Sequence, residues 1–484
     1  MSIENQHPLY IEHSVLWEKV TDCISGETTI KNAGLKYLPK PSGMDEQEYN
    51  NYRDRAVFKM FTSETFDILY GHLFSKEPEL KGNIEALRDI IENVDLTGTT
   101  LTQFSSDVVV SNLPTGWGGI LVDHAPVPEG TNRADQERAG LTSYMRNYKA
   151  QDTDNWRYDT NNYRKVLAYV KLRETYEVPD EKDEFNSITK TRYRVLKLVD
   201  GVYVQNVWEQ IKNGDKVEWV MVAEYKPMLD GKYLDFIPFF PCPSKEPEKS
   251  MLLPVTYLNL GSYRNSADYE NLLHETGTPT CYAVGVEPPR DKDGNVLPVK
   301  RGGNTIMFIK GSGTESPRVG YLEPSGAGAN SFDVAQKDKK DDVSVLTANI
   351  VKKNKAGVEA AETAKLQQAG GNSVLGSYSV DISGVITHAF RLCARWRGVP
   401  KEIADGFEIS FAVDFNMDTN NIEARNIGLR EVAEGVKSKK SYMIEDRGMD
   451  EKSALEELAL IGGDKPDYSG FNLDLEVENE PTNP

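Results

Sequence analysis

Hydrophobic positions recur at helical spacing most plainly toward the end of the chain. Leu375, Tyr378, Ile382, Val385, Ala389, Cys393 and Trp396 follow one another at intervals of three or four residues. That interval makes the apolar stripe of an amphipathic helix. It predicts a helix over 358–397, kinked at Gly370-Gly371 and about 60 Å long at the α-helical rise. A second helix is predicted before it, over 333–351. It opens on charge (Asp333, Lys337, Asp338, Lys339, Lys340, Asp341, Asp342) and closes apolar (Val343, Val345, Leu346, Ala348, Ile350, Val351). Between the two lies a basic elbow, Lys352-Lys353-Asn354-Lys355-Ala356-Gly357. Two long helices around such an elbow suit a wall or a spoke better than a compact enzyme core.

Elsewhere the pattern changes several times. Over residues 1–130 it is mainly helical: 14–23, 45–74 with a restart at Thr62-Ser63-Glu64, 84–91 and 101–113, with a proline-limited extended piece at 34–41. A short buried strand, Ile120-Leu121-Val122-Asp123, follows the loop Pro114–Gly119. Over 140–240, β-rich runs at 165–172, 191–198, 202–208 and 217–225 predict an antiparallel meander, with turns at Asp200-Gly201 and Lys212–Asp215. Helix returns at 251–277, where Pro254 suits the first turn. Short strands are expected at 281–286, 305–309 and 318–322. A late strand at 407–415 alternates Phe407, Ile409, Phe411, Val413 and Phe415 with polar or small residues. Having no local sheet, it should pair with the strands of 120–225 or remain an orphan. The chain would thus leave its first domain near 250 and return near 405, with a helical hairpin tipped by a small β module in between. Short helices at 422–436 and 452–460 precede an acidic tail, 466–484.

Composition narrows the chemistry. The 484 residues carry a formal net charge of −19. A surface so acidic does not grip free nucleic acid, which is held by neutralising its phosphates, although DNA could pass it without being held. The four cysteines (Cys23, Cys242, Cys281, Cys393) are scattered without a pairing pattern and fit a reduced, cytosolic setting. The first residues show no signal-peptide pattern, and no uncharged apolar run has the length of a membrane span.

Catalytic motifs are absent. Gly116-Trp117-Gly118-Gly119 has no Lys-Ser/Thr after it and runs into a strand, so it reads as a tight turn and not as a phosphate cradle. The six histidines make no metal pattern. Tyr257, Tyr263, Arg264 and Tyr269 could stack on bases but suit core or subunit packing. Lys352, Lys353, Asn354 and Lys355 are the candidate site: a solvated turn in isolation, or, repeated around a ring, a collar of weak phosphate contacts. No cofactor, metal or catalytic residue is expected.

The chain as a whole resembles the portal proteins of tailed bacteriophages, in particular a subfamily catalogued as uncharacterised phage proteins. The resemblance rests on ordered landmarks over residues 7–275: His7-Pro8-Leu9-Tyr10, Gly34-Leu35-Lys36-Tyr37-Leu38-Pro39, Tyr52-Arg53-Asp54-Arg55-Ala56, Leu69-Tyr70-Gly71-His72-Leu73-Phe74 with Pro78, Gly119-Ile120-Leu121-Val122-Asp123, Asn155-Trp156-Arg157, Tyr193-Arg194-Val195-Leu196, Phe236-Ile237-Pro238-Phe239, and Leu258-Asn259-Leu260 through Tyr263-Arg264 to Ala267-Asp268. Over 330–398 it is architectural, and beyond 417 it is thin.

The resemblance implies an α+β portal-type fold. The wing would be 1–250 with the strand 405–416 returning to it. The stem would be 251–277 and 333–351, the clip 278–332, the tunnel loop 352–360, the long wing helix 361–404, the crown 417–465 and the tail 466–484. It further implies a homo-oligomeric ring of about twelve subunits at one capsid vertex of the virion, assembled in the bacterial cytoplasm. Its partners would be the terminase large subunit, the head-tail adaptor, the major capsid protein and, transiently, double-stranded DNA. Two other readings stay open: a soluble enzyme with its site near Gly116–Gly119, and another phage structural component such as an adaptor.

Overall fold

The computed structural model describes residues 3–351, apart from 126–134, 136, 137, 139, 162, 181, 182, 214, 215, 278, 279, 298, 302, 303, 311–315 and 323–326, together with residues 373–412, 432, 438–445, 455 and 458. The chain divides into two units, Met1–Asp414 and Phe415–Pro484. In the second, the described residues include the short helix Lys439–Glu445 with buried Tyr442. The predicted crown therefore lies mostly, and the acidic tail wholly, outside the described residues.

The first unit is α+β. Its N-terminal helices start where local chemistry satisfies the free N–H groups of a first turn. Pro8 opens Pro8–Ser25, capping boxes at Asp45/Glu48 and Thr100/Gln103 open Glu46–Arg55 and Leu101–Asn112, and Asn83 caps Ile84–Glu92. The single helix predicted over 45–74 is two, Glu46–Arg55 and Phe61–Leu73, because Ala56 turns the backbone out of the helical region at φ −57°, ψ 138°. Gly34–Lys36 is a short 3-10 turn where an extended piece is expected.

Strand β1 (Glu79–Lys81) is followed by β2 (Gly118–His124) and β3 (Ser143–Lys149). The predicted meander is a five-stranded antiparallel sheet in sequential order: β4 (Thr153–Asn161), β5 (Arg164–Asp180), β6 (Asp183–Val199), β7 (Val202–Asn213) and β8 (Lys216–Tyr225). Asp200 and Gly201 make the β6–β7 turn with φ of 51° and 78°, the mirror-image turn their sequence calls for. A small hairpin, β9 (Met228–Leu229) with β10 (Lys232–Tyr233), leads to β11 (Phe239–Cys242), which pairs with β2 in the sheet β11-β2-β3. Gly119 admits this pairing. A Cβ there would stand 2.0 Å from the ring of Phe239. Trp17, Trp117, Leu121, Trp156, Leu172, Leu196, Tyr203 and Phe239 form the core between the two sheets and the first helix.

β5 and β6 run past their neighbours. Pairing of β4 with β5 begins at Thr153 opposite Leu172, and pairing of β6 with β7 ends at Arg192 opposite Glu209, whereas β5 and β6 stay paired to Asp180 opposite Asp183. Residues 173–180 and 183–191 therefore make a two-stranded arm beyond the sheet, about 25 Å long at the β rise.

The outgoing helix Leu253–Thr276 packs Leu260, Tyr263 and Ala267 against the N-terminal helices, and Val255 and Leu258 against Phe61, Val343 and Leu346. At its far end stands a three-stranded sheet, β12 (Thr280–Val284) between β15 (Met307–Ile309) and β16 (Arg318–Leu322), with β13 (Lys300–Arg301) and β14 (Asn304–Thr305) as a side hairpin. The returning helix is Ala327–Val351, longer at its start than the predicted 333–351.

Two expectations are corrected. The helix predicted over 358–397 does not run unbroken: Ser373 is extended at ψ 163° and caps a new helix, Val374–Trp396, by accepting from Gly376 N. The predicted Gly370-Gly371 kink lies outside the described residues. The described part of the late strand, 407–412, pairs with none of the strands of 120–225. As β17 (Glu408–Ser410) it is antiparallel to β1, Leu80 opposite Ile409. Its other edge meets the helix Val374–Trp396. Ser379 Oγ donates to Ala412 O (2.9 Å), Ser383 Oγ accepts from Phe411 N (3.2 Å), Thr387 Oγ1 accepts from Ile409 N (3.2 Å), and Arg391 Nε donates to Phe407 O (2.8 Å). Four side chains one helical turn apart thus stand in for a strand and satisfy the buried backbone. Ser383→Ala, which leaves Phe411 N without its acceptor, should cost about 1–3 kcal/mol in denaturant unfolding.

Candidate functional site

Lys352, Lys353, Asn354 and Lys355 lie outside the described residues. What the structure gives is their frame: the returning helix delivers the chain at Val351, and the next helix takes it up at Ser373.

The two hairpin helices lie antiparallel along their length. Near the body, Val255 and Leu258 meet Val343 and Leu346. Midway, Gln336 Nε2 donates to Ser262 O (2.8 Å) and Gln336 Oε1 accepts from Ser262 Oγ. Farther out, the rings of Tyr269 and Phe332 are 6.2 Å apart. The outward surfaces keep apolar side chains in solvent: Tyr257, Val334 and Val345 on the helices, and Met307, Ile309 and Val319 on the tip sheet. From the register of β12 with its neighbours, Met307 and Ile309 share one face of that sheet and Val319 stands on the other. The four residues singled out as a possible stacking cluster separate. Tyr263 is buried in the helical core, Arg264 Nε donates to Tyr37 O (3.0 Å), Tyr269 faces Phe332, and Tyr257 is half exposed under Lys19.

Pro114–Gly119 is structural. Gly116 turns at φ 71°, Thr115 Oγ1 donates to Trp117 O (2.6 Å), and Gly118 and Gly119 are already β2. His7 caps the first helix and stacks on Trp156 at 4.0 Å.

A polar cleft of about 1280 Å³ opens beside the five-stranded sheet, between β6–β8 and the end of the helix Val374–Trp396. Asp123, Arg194 and Gln205 line its floor. Arg194 donates from Nη1 to Asp123 Oδ2 (3.0 Å) and from Nε to Glu174 Oε1 (2.7 Å), and Arg192 Nε donates to Glu174 Oε2 (2.6 Å). Tyr148 donates to Glu174 Oε1, and Gln205 Nε2 to Asp123 Oδ2 (3.3 Å). Burial raises the Glu174 carboxyl, but Arg194, with Arg146 and Tyr148, outweighs it and holds the pKa down at about 2, from an ordinary 4.5. Burial, and then the Glu174 charge, push the Tyr148 phenol well above its ordinary range and keep it a donor.

A depressed carboxyl stabilises the fold above the unfolded-state pKa and loses that contribution as pH falls toward the folded one. Glu174 should therefore give up about 3 kcal/mol between pH 5 and 2. An acid-unfolding series comparing the natural chain with Glu174→Gln measures this; the variant's curve should be flatter across that window.

Sequence reasoning passed over this network because its members are spread over five strands, β2, β3, β5, β6 and β7. The available signal was a charged residue inside an apolar run: Asp123 after Ile120-Leu121-Val122, and Arg194 beside Val195-Leu196.

A family profile described as a domain of unknown function, DUF4055, matches residues 251–397. It begins at the outgoing helix and ends with the helix Val374–Trp396. No curated protein matches. Solved structures that resemble the chain include the virion of a native gene transfer agent particle, with a TM-score of 0.35 and 10% identity over 87% of this chain and 98% of that one. Another is the neck of an empty gene transfer agent particle computed with C6 symmetry, with a TM-score of 0.36 and 10% identity over 86% of this chain and 98% of that one. Likenesses this weak carry no weight in assigning a function.

Among the described residues, no helix is long and apolar enough to cross a membrane, and no group of histidine, cysteine and carboxylate side chains is placed to hold a metal ion.

Proposed function

We propose that this chain is the subunit of a tailed-phage portal: a ring of about twelve copies through which double-stranded DNA is packaged and ejected. The observation that carries the reading is the excursion of the chain from one α+β body. It leaves along Leu253–Thr276, forms a three-stranded tip, returns along Ala327–Val351, and rejoins the body through Val374–Trp396 and β17. The ordered sequence landmarks of residues 7–275 support it independently. In this reading the body is the wing, the helix pair the stem and the β tip the clip, which meets the terminase large subunit and then the head-tail adaptor. The wing meets the major capsid protein. Exposed Tyr257, Val334 and Val345 are then surface that neighbouring subunits cover.

The segment 352–360 is assigned as the tunnel loop. Lysines on an otherwise acidic ring would touch passing phosphates weakly and release them, contacts that weaken further with salt. Deleting residues 352–357 in the phage should leave heads and rings assembled and reduce packaged DNA severalfold, read as the fraction of filled heads. Normal filled heads would remove that assignment. A label fused to the chain should mark a single vertex of each particle; a label spread over the shell or along a tail would overturn the portal reading itself.

A further inference from the structure

The arm and the cleft have no role in the account so far, and their chemistry is complementary. At the arm's end Phe185 is 92% exposed, a degree of exposure unusual for a phenylalanine in a folded strand, and Ile188 stands half exposed behind it. Beside it, Phe185 N donates to Asp183 Oδ1 (3.0 Å) and Asn186 Nδ2 to Asp180 Oδ2 (3.3 Å). The stretch 177–184 carries five carboxylates and one lysine.

The cleft offers what such a tip lacks. Val222, Met228 and Trp396 give it apolar wall. Lys226 and Arg395 stand on its rim in loose pairs, 3.7 Å from Glu224 and 4.0 Å from Asp230, so an incoming carboxylate could compete for either cation. Its roughly 1280 Å³ is ample for an aromatic side chain and its neighbours.

We propose that the β5–β6 arm of one copy of this chain enters the cleft of the next, with Phe185 between Val222, Met228 and Trp396 and the Asp183 carboxylate beside it facing Lys226 and Arg395. The contact joins two different surfaces, so it is head-to-tail, the kind that closes into a ring when its rotation permits. It rests on the ring reading for its closure, and it adds to that reading a named pair of surfaces. An exposed aromatic entering a cleft with one apolar wall and two weakly paired cations on its rim has the make-up of an energetic anchor.

All four natural cysteines are buried, so cysteines introduced at the surface report alone. Phe185→Cys combined with Met228→Cys in the full chain should give disulfide-linked multiples of the subunit on oxidation, whereas either single variant should give none above background. Arg395→Asp should weaken association about tenfold, and an Asn186→Lys partner change on the arm should recover part of it. Subunit association is read in parallel by native mass measurement. Rings without the cross-link overturn the arm-in-cleft contact and leave the ring reading standing. A cross-linked assembly that is not a ring keeps the contact and overturns the ring reading. No association at all overturns both.

Discussion

Arg194→Met should destabilise the protein by about 3–5 kcal/mol, the cost of leaving buried charge without its partner. The guanidinium bridges Asp123 on β2 and Glu174 on β5, and its own side chain is 9% exposed against 4% and 1% for the two carboxylates. Methionine fills much of the same volume but takes this cation from Asp123 and leaves Glu174 with Arg192 and the more distant Arg146 alone. Glu174 loses the cation that does most to hold its carboxyl low, so the loss should be largest near neutral pH and shrink in acid. Urea unfolding at pH 7 and pH 4 measures both the size and this sign. Because Asp123 and Glu174 lie on strands of the two different sheets, the change should also loosen the cleft floor, seen as faster amide exchange at β2 and β6.

Lys171→Met is the second large effect, also about 3–5 kcal/mol. Lys171 is fully buried on β5. Its ammonium lies 3.1 Å from Asp154 Oδ1 and donates to Ile3 O (2.5 Å) and Asn5 O (2.8 Å). His7 N donates to Asp154 O (2.9 Å) and Asn155 Nδ2 to Asn5 O (2.9 Å), so the segment 3–7 is fastened across the sheet largely by this one pair and its neighbours. Removing the ammonium should release the segment before the body unfolds. Limited proteolysis should then cut near residues 3–8 at protein concentrations where the natural chain resists. Lys171→Met with Asp154→Leu should recover part of the stability, because no buried charge is left behind, but not the protection of the segment.

These two sites mark how far the sequence could be read. Helix spacing, capping residues and the Asp200-Gly201 turn predicted most elements, because those signals act within a few residues. The meander came out as four of five strands. Thr153–Asn161 escaped because its charged and amide residues break the alternation, and it is held in place by β5 and by the N-terminal segment. The fate of the late strand was misread for a related reason. Its alternation was plain, with Phe407, Ile409 and Phe411 buried as expected. Its partners, however, are a three-residue strand at 79–81 and a row of hydroxyls on a helix, neither of which has a strand-like pattern. The break at Ser373 was missed because the apolar stripe beginning at Leu375 says nothing about where the preceding turn ends; the serine that caps it was the available signal. Lys171 and Arg194 were visible only as polar intrusions into apolar strands, and their partners are set by tertiary pairing.

The lysine-bearing loop is a different case. Residues 352–355 lie outside the described residues, and the role proposed for them follows from the proposed ring. The central claim is thus the ring. Class averages of the purified chain, taken with its native mass, test it most directly. The account predicts closed rings of about twelve 54.2 kDa subunits around an open axial channel. A closed two-fold dimer, or a particle without a channel, would contradict it.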